Sequence, residues 1–169
     1  EIVKQMGELG LMGVTIPEEY GGAGMDYISY ALAMIEISKA CASCGVIMSV
    51  CNSLYNFPVY KYGSEEQKQK YLRPVASGEV LGCYGLTEAG AGSDPAKMAT
   101  TAVLDGNEWV INGSKKFITN GNVARFCVVA ASTDKSQGYK GISSFIVDLH
   151  NTPGFHVGTV EEKLGINAS

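Results

Sequence analysis

Tyr84-Gly85-Leu86-Thr87-Glu88-Ala89-Gly90-Ala91-Gly92-Ser93-Asp94 is the stretch on which the reading of this chain turns. A β-prone segment runs into a glycine-rich turn and closes on two small polar acceptors. A second stretch, Lys116-Phe117-Ile118-Thr119-Asn120-Gly121, follows after one predicted hairpin. Strands that lead into glycine turns present backbone N–H groups and hydroxyls to a planar or phosphorylated ligand. Each stretch also has a plainer reading. The first is then a hairpin corner whose glycines merely permit positive φ, and the second an ordinary strand. For the first stretch, residue chemistry alone puts the plainer reading ahead.

Several site types are excluded by spacing. Gly90-Ala91-Gly92 lacks the third glycine of a dinucleotide-binding fingerprint, and Pro95 stands where its helix would begin. There is no GxxxxGK[ST] phosphate loop and no GxSxG, and the only histidines, His150 and His156, come late. Cys41-Ala42-Ser43-Cys44 is a CxxC, but Cys51, Cys83 and Cys127 supply no second pair at zinc spacing, so no metal site is expected. Nor does it follow a strand as a redox CxxC should, and packing along a helix is the expectation.

Outward from the two stretches, the period of the chain changes near residue 80. Before it, apolar residues recur at helical spacing. Ile2, Met6 and Leu9 mark a first helix that Gly13 ends. Asp26 is placed to cap a long helix running to about Cys44, with Ile28, Leu32 and Ile35 on one face. Val46 to Tyr62 reads as helix with a turn or kink at Pro58. Ser64 and Gln67 have capping-box spacing, and Gly78 is a natural stop. Met34, Met48, Tyr55, Tyr60 and Tyr62 read as packing residues. After residue 80 the runs are short and strand-like: 99–104, the Asp105-Gly106-Asn107 turn, Glu108–Asn112, Phe126–Ala131 and Ile142–Val147, with a further turn at Pro153-Gly154. The prediction is α+β and multidomain: an all-α domain over 1–80, then an antiparallel β-barrel or sandwich over 81–169. Trp109 falls in a strand, as core or contact surface.

Glycine is 21 of 169 residues, above the roughly 7% of ordinary proteins, which calls for many tight turns. The net charge is −4, with 6 basic and 9 acidic side chains in residues 1–82 and 7 and 8 in the remainder. No basic block marks a nucleic-acid surface, and an anionic ligand would have to be held by local donors. No apolar run reaches membrane-spanning length, and no export signal is visible. Five cysteines in such a chain read as reduced thiols. The chain starts without methionine and ends at Asn167-Ala168-Ser169 without a helix stop, and it reads as a piece of a longer protein.

The two stretches together resemble the acyl-CoA dehydrogenases. Gly85-Leu86-Thr87-Glu88-Ala89-Gly90-Ala91-Gly92-Ser93-Asp94 fits that family's small-apolar-Ser/Thr-Glu-x-x-small-Gly-Ser/Thr-Asp pattern, and Phe117-Ile118-Thr119-Asn120-Gly121 fits its aromatic-Ile-Thr-Asn-Gly block. The likeness extends from Gly13-Val14-Thr15-Ile16-Pro17-Glu18-Glu19-Tyr20-Gly21-Gly22 to Glu162-Lys163-Leu164-Gly165. Lys97 departs from it, standing where the pattern closes on a small residue. Met48–Leu54 and Tyr60–Lys68 are most similar to short-chain, butyryl-CoA-type members.

The resemblance implies FAD as cofactor and an acyl-CoA as substrate. It places Tyr84, Gly85, Leu86 and Thr87 at the polar edge of the flavin ring, Gly92 and Ser93 at the cofactor, and Ser93 also at the acyl-CoA. Phe117 would shield one face of the flavin, Ile118 would lie at the cofactor, and Thr119 would hydrogen-bond its reactive nitrogen N5. Glu88 and Asp94 are expected to stabilise the turn. No catalytic residue is expected in this chain, because in most relatives the glutamate base lies in a C-terminal helical domain or a neighbouring helix, a region absent from it. Electron-transfer flavoprotein is the implied acceptor, and the full-length protein the unit of a dimer or tetramer. The implied compartment is the bacterial cytoplasm, or the mitochondrial matrix in a eukaryote. Two rival readings are a flavin oxidase or monooxygenase on the same scaffold and a non-enzymatic interaction module.

Overall fold

Asp26 opens the longest helix. Its carboxylate accepts from Ser29 N at 2.8 Å, satisfying one of the unpaired donors at a helix start. The computed structural model describes residues 1–168. Among them the helices are α1 (Ile2–Glu8), α2 (Tyr27–Ala40), α3 (Ala42–Ser49), α4 (Phe57–Tyr62), α5 (Glu65–Gln67) and α6 (Arg73–Ala76). The strands follow: β1 (Gly82–Gly85), β2 (Thr101–Asp105), β3 (Glu108–Asn112), β4 (Phe126–Ser132) and β5 (Ile142–Asp148). A helical first part and a sheet in the second is the architecture the sequence predicts.

Some expectations change in detail. The helix from Asp26 stops at Ala40 and not at Cys44, because Cys41 is extended (φ −154°, ψ 107°) and begins α3 on a new axis. Cys41 is therefore exposed between two helices instead of packed along one. Gly45 lies inside α3, against Ser38 of α2, where a side chain would collide. The α2 stripe also turns over. Ile28, Leu32 and Ile35 face outward, while Tyr30, Ala33, Met34 and Ile37 lean on the core. Both sets have helical spacing, so periodicity cannot say which is inside.

Two π-helical turns, Val50–Asn56 and Lys68–Leu72, each lead into a short helix with proline at its second position, Pro58 in α4 and Pro74 in α6. Proline offers no N–H, and its ring crowds the carbonyl four residues back. Widening the preceding turn moves that carbonyl aside. The irregularity expected at Pro58 is thus a local widening of a continuous helix. The capping box forms as predicted, with Gln67 N to Ser64 Oγ at 3.2 Å and Ser64 N to Gln67 Oε1 at 2.9 Å.

The sheet is mixed. β4 is central, antiparallel to β5 along one edge, and its other edge is shared by β1 and the start of β2, both parallel to it. The β2–β3 hairpin forms where predicted, but Asp105 pairs with Glu108 as part of β2, so the turn narrows from the expected Asp105-Gly106-Asn107 to Gly106 and Asn107. β4 is buried along almost all of its length, and Phe126 to Ala131 accordingly reads as an unbroken apolar run. Phe126 and Val128 join the main core with Met12, Ile16, Met48, Tyr55, Leu72 and Val75 from the helical part. The Tyr55 ring lies so close over Gly82 that a Cβ there would overlap it. Cys83 and Cys127, paired across β1 and β4, point to the opposite face with Ala124 and Leu149. Met48 and Tyr55 are fully buried and Met34 and Tyr60 partly so, whereas Tyr62 is exposed and packs on nothing deep.

Candidate functional site

The face of the sheet turned away from the helices forms the floor of an open cleft of about 2030 Å³. Cys83 and Gly85 of β1 and Cys127 and Val129 of β4 line it, with Glu88, Gly90, Lys115 and Phe117 to Thr119 along the wall. Trp109 also borders it, tilted on Phe145 at 5.2 Å between ring centroids.

Both quoted stretches leave the sheet beside this cleft and are tied to each other. Lys116 N donates to Thr87 O at 2.7 Å. Lys115 Nζ donates to Leu86 O at 3.1 Å and to Glu88 Oε1 at 2.8 Å. Glu88 also accepts from Ala99 N at 2.6 Å and Thr100 N at 3.1 Å, and it exchanges backbone hydrogen bonds with Ala91. Burial alone would raise the Glu88 carboxyl, but the Lys115 ammonium and those backbone donors hold it at about 2. It is a fixed acceptor at neutral pH, the turn-stabilising part expected of it. Asp94 accepts from Ala96 N at 3.2 Å and closes a short turn over Pro95–Lys97. Lys97 there extends into solvent, 3.7 Å from Asp94, so its length costs the turn no internal space.

Residues 117–119 form no strand. Phe117 has φ +59° and Asn120 φ +65°. For a bulky residue the left-handed region costs roughly 1–2 kcal/mol, so Phe117 stores strain while its ring stands 69% exposed. Asn120 is buried, and its amide donates to Gly82 O at 3.2 Å, anchoring the second corner to the start of β1.

The structure brings together Gly85, Phe117, Ile118 and Thr119 at the cleft. The backbone of Leu86 and Thr87 joins them through the hydrogen bonds above. The Tyr84 side chain packs on the helical face, and Leu86 packs with Ala91 and Met98. Gly92 and Ser93 lie exposed past the turn. Among the described residues the hydroxyls of Thr87, Ser93 and Thr119 have no protein partner. Neither Gly90 nor Gly92 has positive φ, and a Cβ at either would meet nothing within 4 Å. The chain does turn a tight corner between Glu88 and Ala91, but neither positive φ nor internal packing requires these glycines. Their smallness, the free hydroxyls and an exposed aromatic ring suit a large planar ligand laid against the corners.

Sequence reasoning missed Lys115 and the anchoring role of Asn120. The one available signal was a lysine beside the second stretch that could answer Glu88 in the first. The Cys83 thiol, buried and paired across the strands with Cys127, is pushed far up by that neighbour and by burial. Among the described residues no His, Cys, Asp and Glu gather as a metal site.

A family model for the N-terminal domain of acyl-CoA dehydrogenases matches residues 1–79, and one for their middle domain matches residues 83–169. This chain belongs to the acyl-CoA dehydrogenase family. The mitochondrial short-chain specific acyl-CoA dehydrogenase of Bos taurus is 55% identical over 99% of the chain and 40% of its own length. A solved structure described as the electron transferring flavoprotein of Acidaminococcus fermentans matches with TM-score 0.95 at 50% identity, over 98% of this chain and 43% of that one. A glutaryl-CoA dehydrogenase from Mycobacterium smegmatis, solved in complex with FADH2, matches with TM-score 0.90 at 42% identity, over 98% and 41%. This acyl-CoA dehydrogenase chain thus spans about two fifths of such relatives. Among its described residues no helix is long and apolar enough to cross a membrane.

Proposed function

We propose that the complete protein uses FAD to remove two hydrogens from a short-chain acyl-CoA thioester, with residues 1–80 and 81–169 serving as its helical and flavin-cradling units. The observation that carries this is the pinning of two corners to each other beside one cleft, through Lys116 N to Thr87 O and Lys115 Nζ to Leu86 O. The name of the Bos taurus relative supports a short acyl chain, and the FADH2 complex of the Mycobacterium smegmatis relative supports the cofactor.

Bound flavin supplies a hydride acceptor. The backbone of Tyr84, Gly85 and Leu86 and the Thr87 hydroxyl hold the polar edge of the ring. Gly92 and Ser93 approach the cofactor, and Ser93 also the thioester. Phe117 and Ile118 cover one ring face and exclude water, and the Thr119 hydroxyl donates to the reactive nitrogen. The base that takes the substrate proton lies outside this chain. The full-length protein assembles as a homo-oligomer, passes electrons to an electron-transfer flavoprotein, and works in the bacterial cytoplasm or mitochondrial matrix.

Purification of the full-length protein tests this. The expected preparation is yellow with stoichiometric FAD, is bleached by butyryl-CoA, and is reoxidised by electron-transfer flavoprotein far faster than by air. Absence of FAD would leave only an interaction module, and rapid reoxidation by oxygen would make it an oxidase. Thr119→Ala should retain FAD but be reduced roughly fivefold more slowly, as loss of one hydrogen bond of about 1 kcal/mol requires. Stopped-flow traces matching the parent would remove Thr119 from that role.

A further inference from the structure

We infer that Lys115, through its ion pair with Glu88, is a positioning residue that sets the two corners at their working separation beside the cleft. This rests on the flavin reading above and assigns the feature that fixes its geometry.

The pair is built for placement. Side-chain exposure is 11% for Lys115 and 6% for Glu88, with 2.8 Å between the charges. Taking both charges out of water costs several kcal/mol, and a buried pair is often no more stable than apolar groups of the same volume. Stability alone is therefore a weak account of charges here, where Leu or Met would fill the space. The pair does something an apolar contact cannot. From one point, Lys115 Nζ holds Leu86 O in the first corner and Glu88 beyond it. Its stem lies over Gly85, where an added Cβ would stand 3.3 Å from Lys115 Cγ. The next residue, Lys116, donates its N–H to Thr87 O, and the residue after that is the strained Phe117. Glu88 in turn reaches Ala99 N and Thr100 N, which lead directly into β2. The chain of contacts thus runs from the sheet through Glu88 and Lys115 to both corner tips. Misplacement of reacting groups by an ångström can cost orders of magnitude in rate while leaving the fold intact.

Two variants of the full-length protein test this: Lys115→Met, and the neutral pair Glu88→Gln/Lys115→Met, which leaves no unpaired buried charge. Thermal unfolding, FAD content, the visible spectrum of bound flavin and stopped-flow reduction by butyryl-CoA are measured on each. The expected result is that the neutral pair unfolds close to the parent temperature and keeps FAD, yet is reduced about tenfold or more slowly with an altered flavin spectrum and little change in the substrate concentration for half-saturation. A neutral pair with the parent's reduction rate and spectrum overturns the inference. So does failure of both variants to fold with FAD present, because the pair then only maintains the fold. A parent protein that binds no FAD sinks the flavin reading and this inference with it, whereas a normal parent and normal variants sink this inference alone.

Discussion

Two buried polar knots hold this molecule, and they are made differently. In the helical part the knot is neutral. Asn52 accepts from Val14 N at 2.8 Å and donates to Leu11 O and Met48 O, each at 2.9 Å, while Asn56 donates to Met12 O at 2.8 Å. At the cleft the knot is ionic, Glu88 with Lys115 and three backbone partners. Both fasten a loop to a regular element. The amide knot sits in the middle of the apolar core, where an unpaired charge would be ruinous and a neutral group suffices. The ionic knot lies beside an open cleft, where each charge is matched by its partner and one ammonium can reach several acceptors at once.

Removing one charge should break the contrast most sharply. Glu88→Ala leaves the Lys115 ammonium buried without its partner, and a loss of about 3–5 kcal/mol is expected in urea unfolding. The pH dependence separates the knots without altering packing. Glu88 lies at about 2 in the folded chain against 4.5 unperturbed, so its contribution is complete above pH 4.5 and is lost as pH falls toward 2. The loss is on the order of 3 kcal/mol. Unfolding followed from pH 6 to pH 2 should show that slope in the parent and in Asn52→Ala, and a flatter one in Glu88→Gln. An equal slope in all three would remove Glu88 as its source. Asn52→Ala should cost about 2–3 kcal/mol, because Val14 N, Leu11 O and Met48 O lose their partner in the core. The smallest effect has the opposite sign. Phe117→Gly relieves a left-handed backbone under an exposed ring and should raise stability by about 1 kcal/mol. On the proposed reading it also makes bound flavin more accessible to a soluble quencher.

Much of the candidate site was legible because its residues are close in sequence. The turn from Thr87 to Asp94 and the block from Phe117 to Gly121 announce themselves through glycine and small polar residues whose conformational freedom is local. Gly90 and Gly92 needed the structure, since only there does it emerge that nothing internal requires them. Lys115 was not legible for a different reason. It answers a carboxylate 27 residues away, and no local pattern distinguishes it from its exposed neighbour Lys116.

What the sequence determined by itself were the features governed by neighbouring residues: the Asp26 and Ser64 caps, the hairpin at Asp105 to Glu108, and the change of apolar period between helices and strands. Tertiary structure alone decided which stripe of α2 faces in, that β1 and β2 run parallel to β4, and that two corners meet through a buried charge pair. Spacing along the chain fixes which residues share a face. The choice of the face that is buried, and of its partner, depends on packing between segments far apart in sequence.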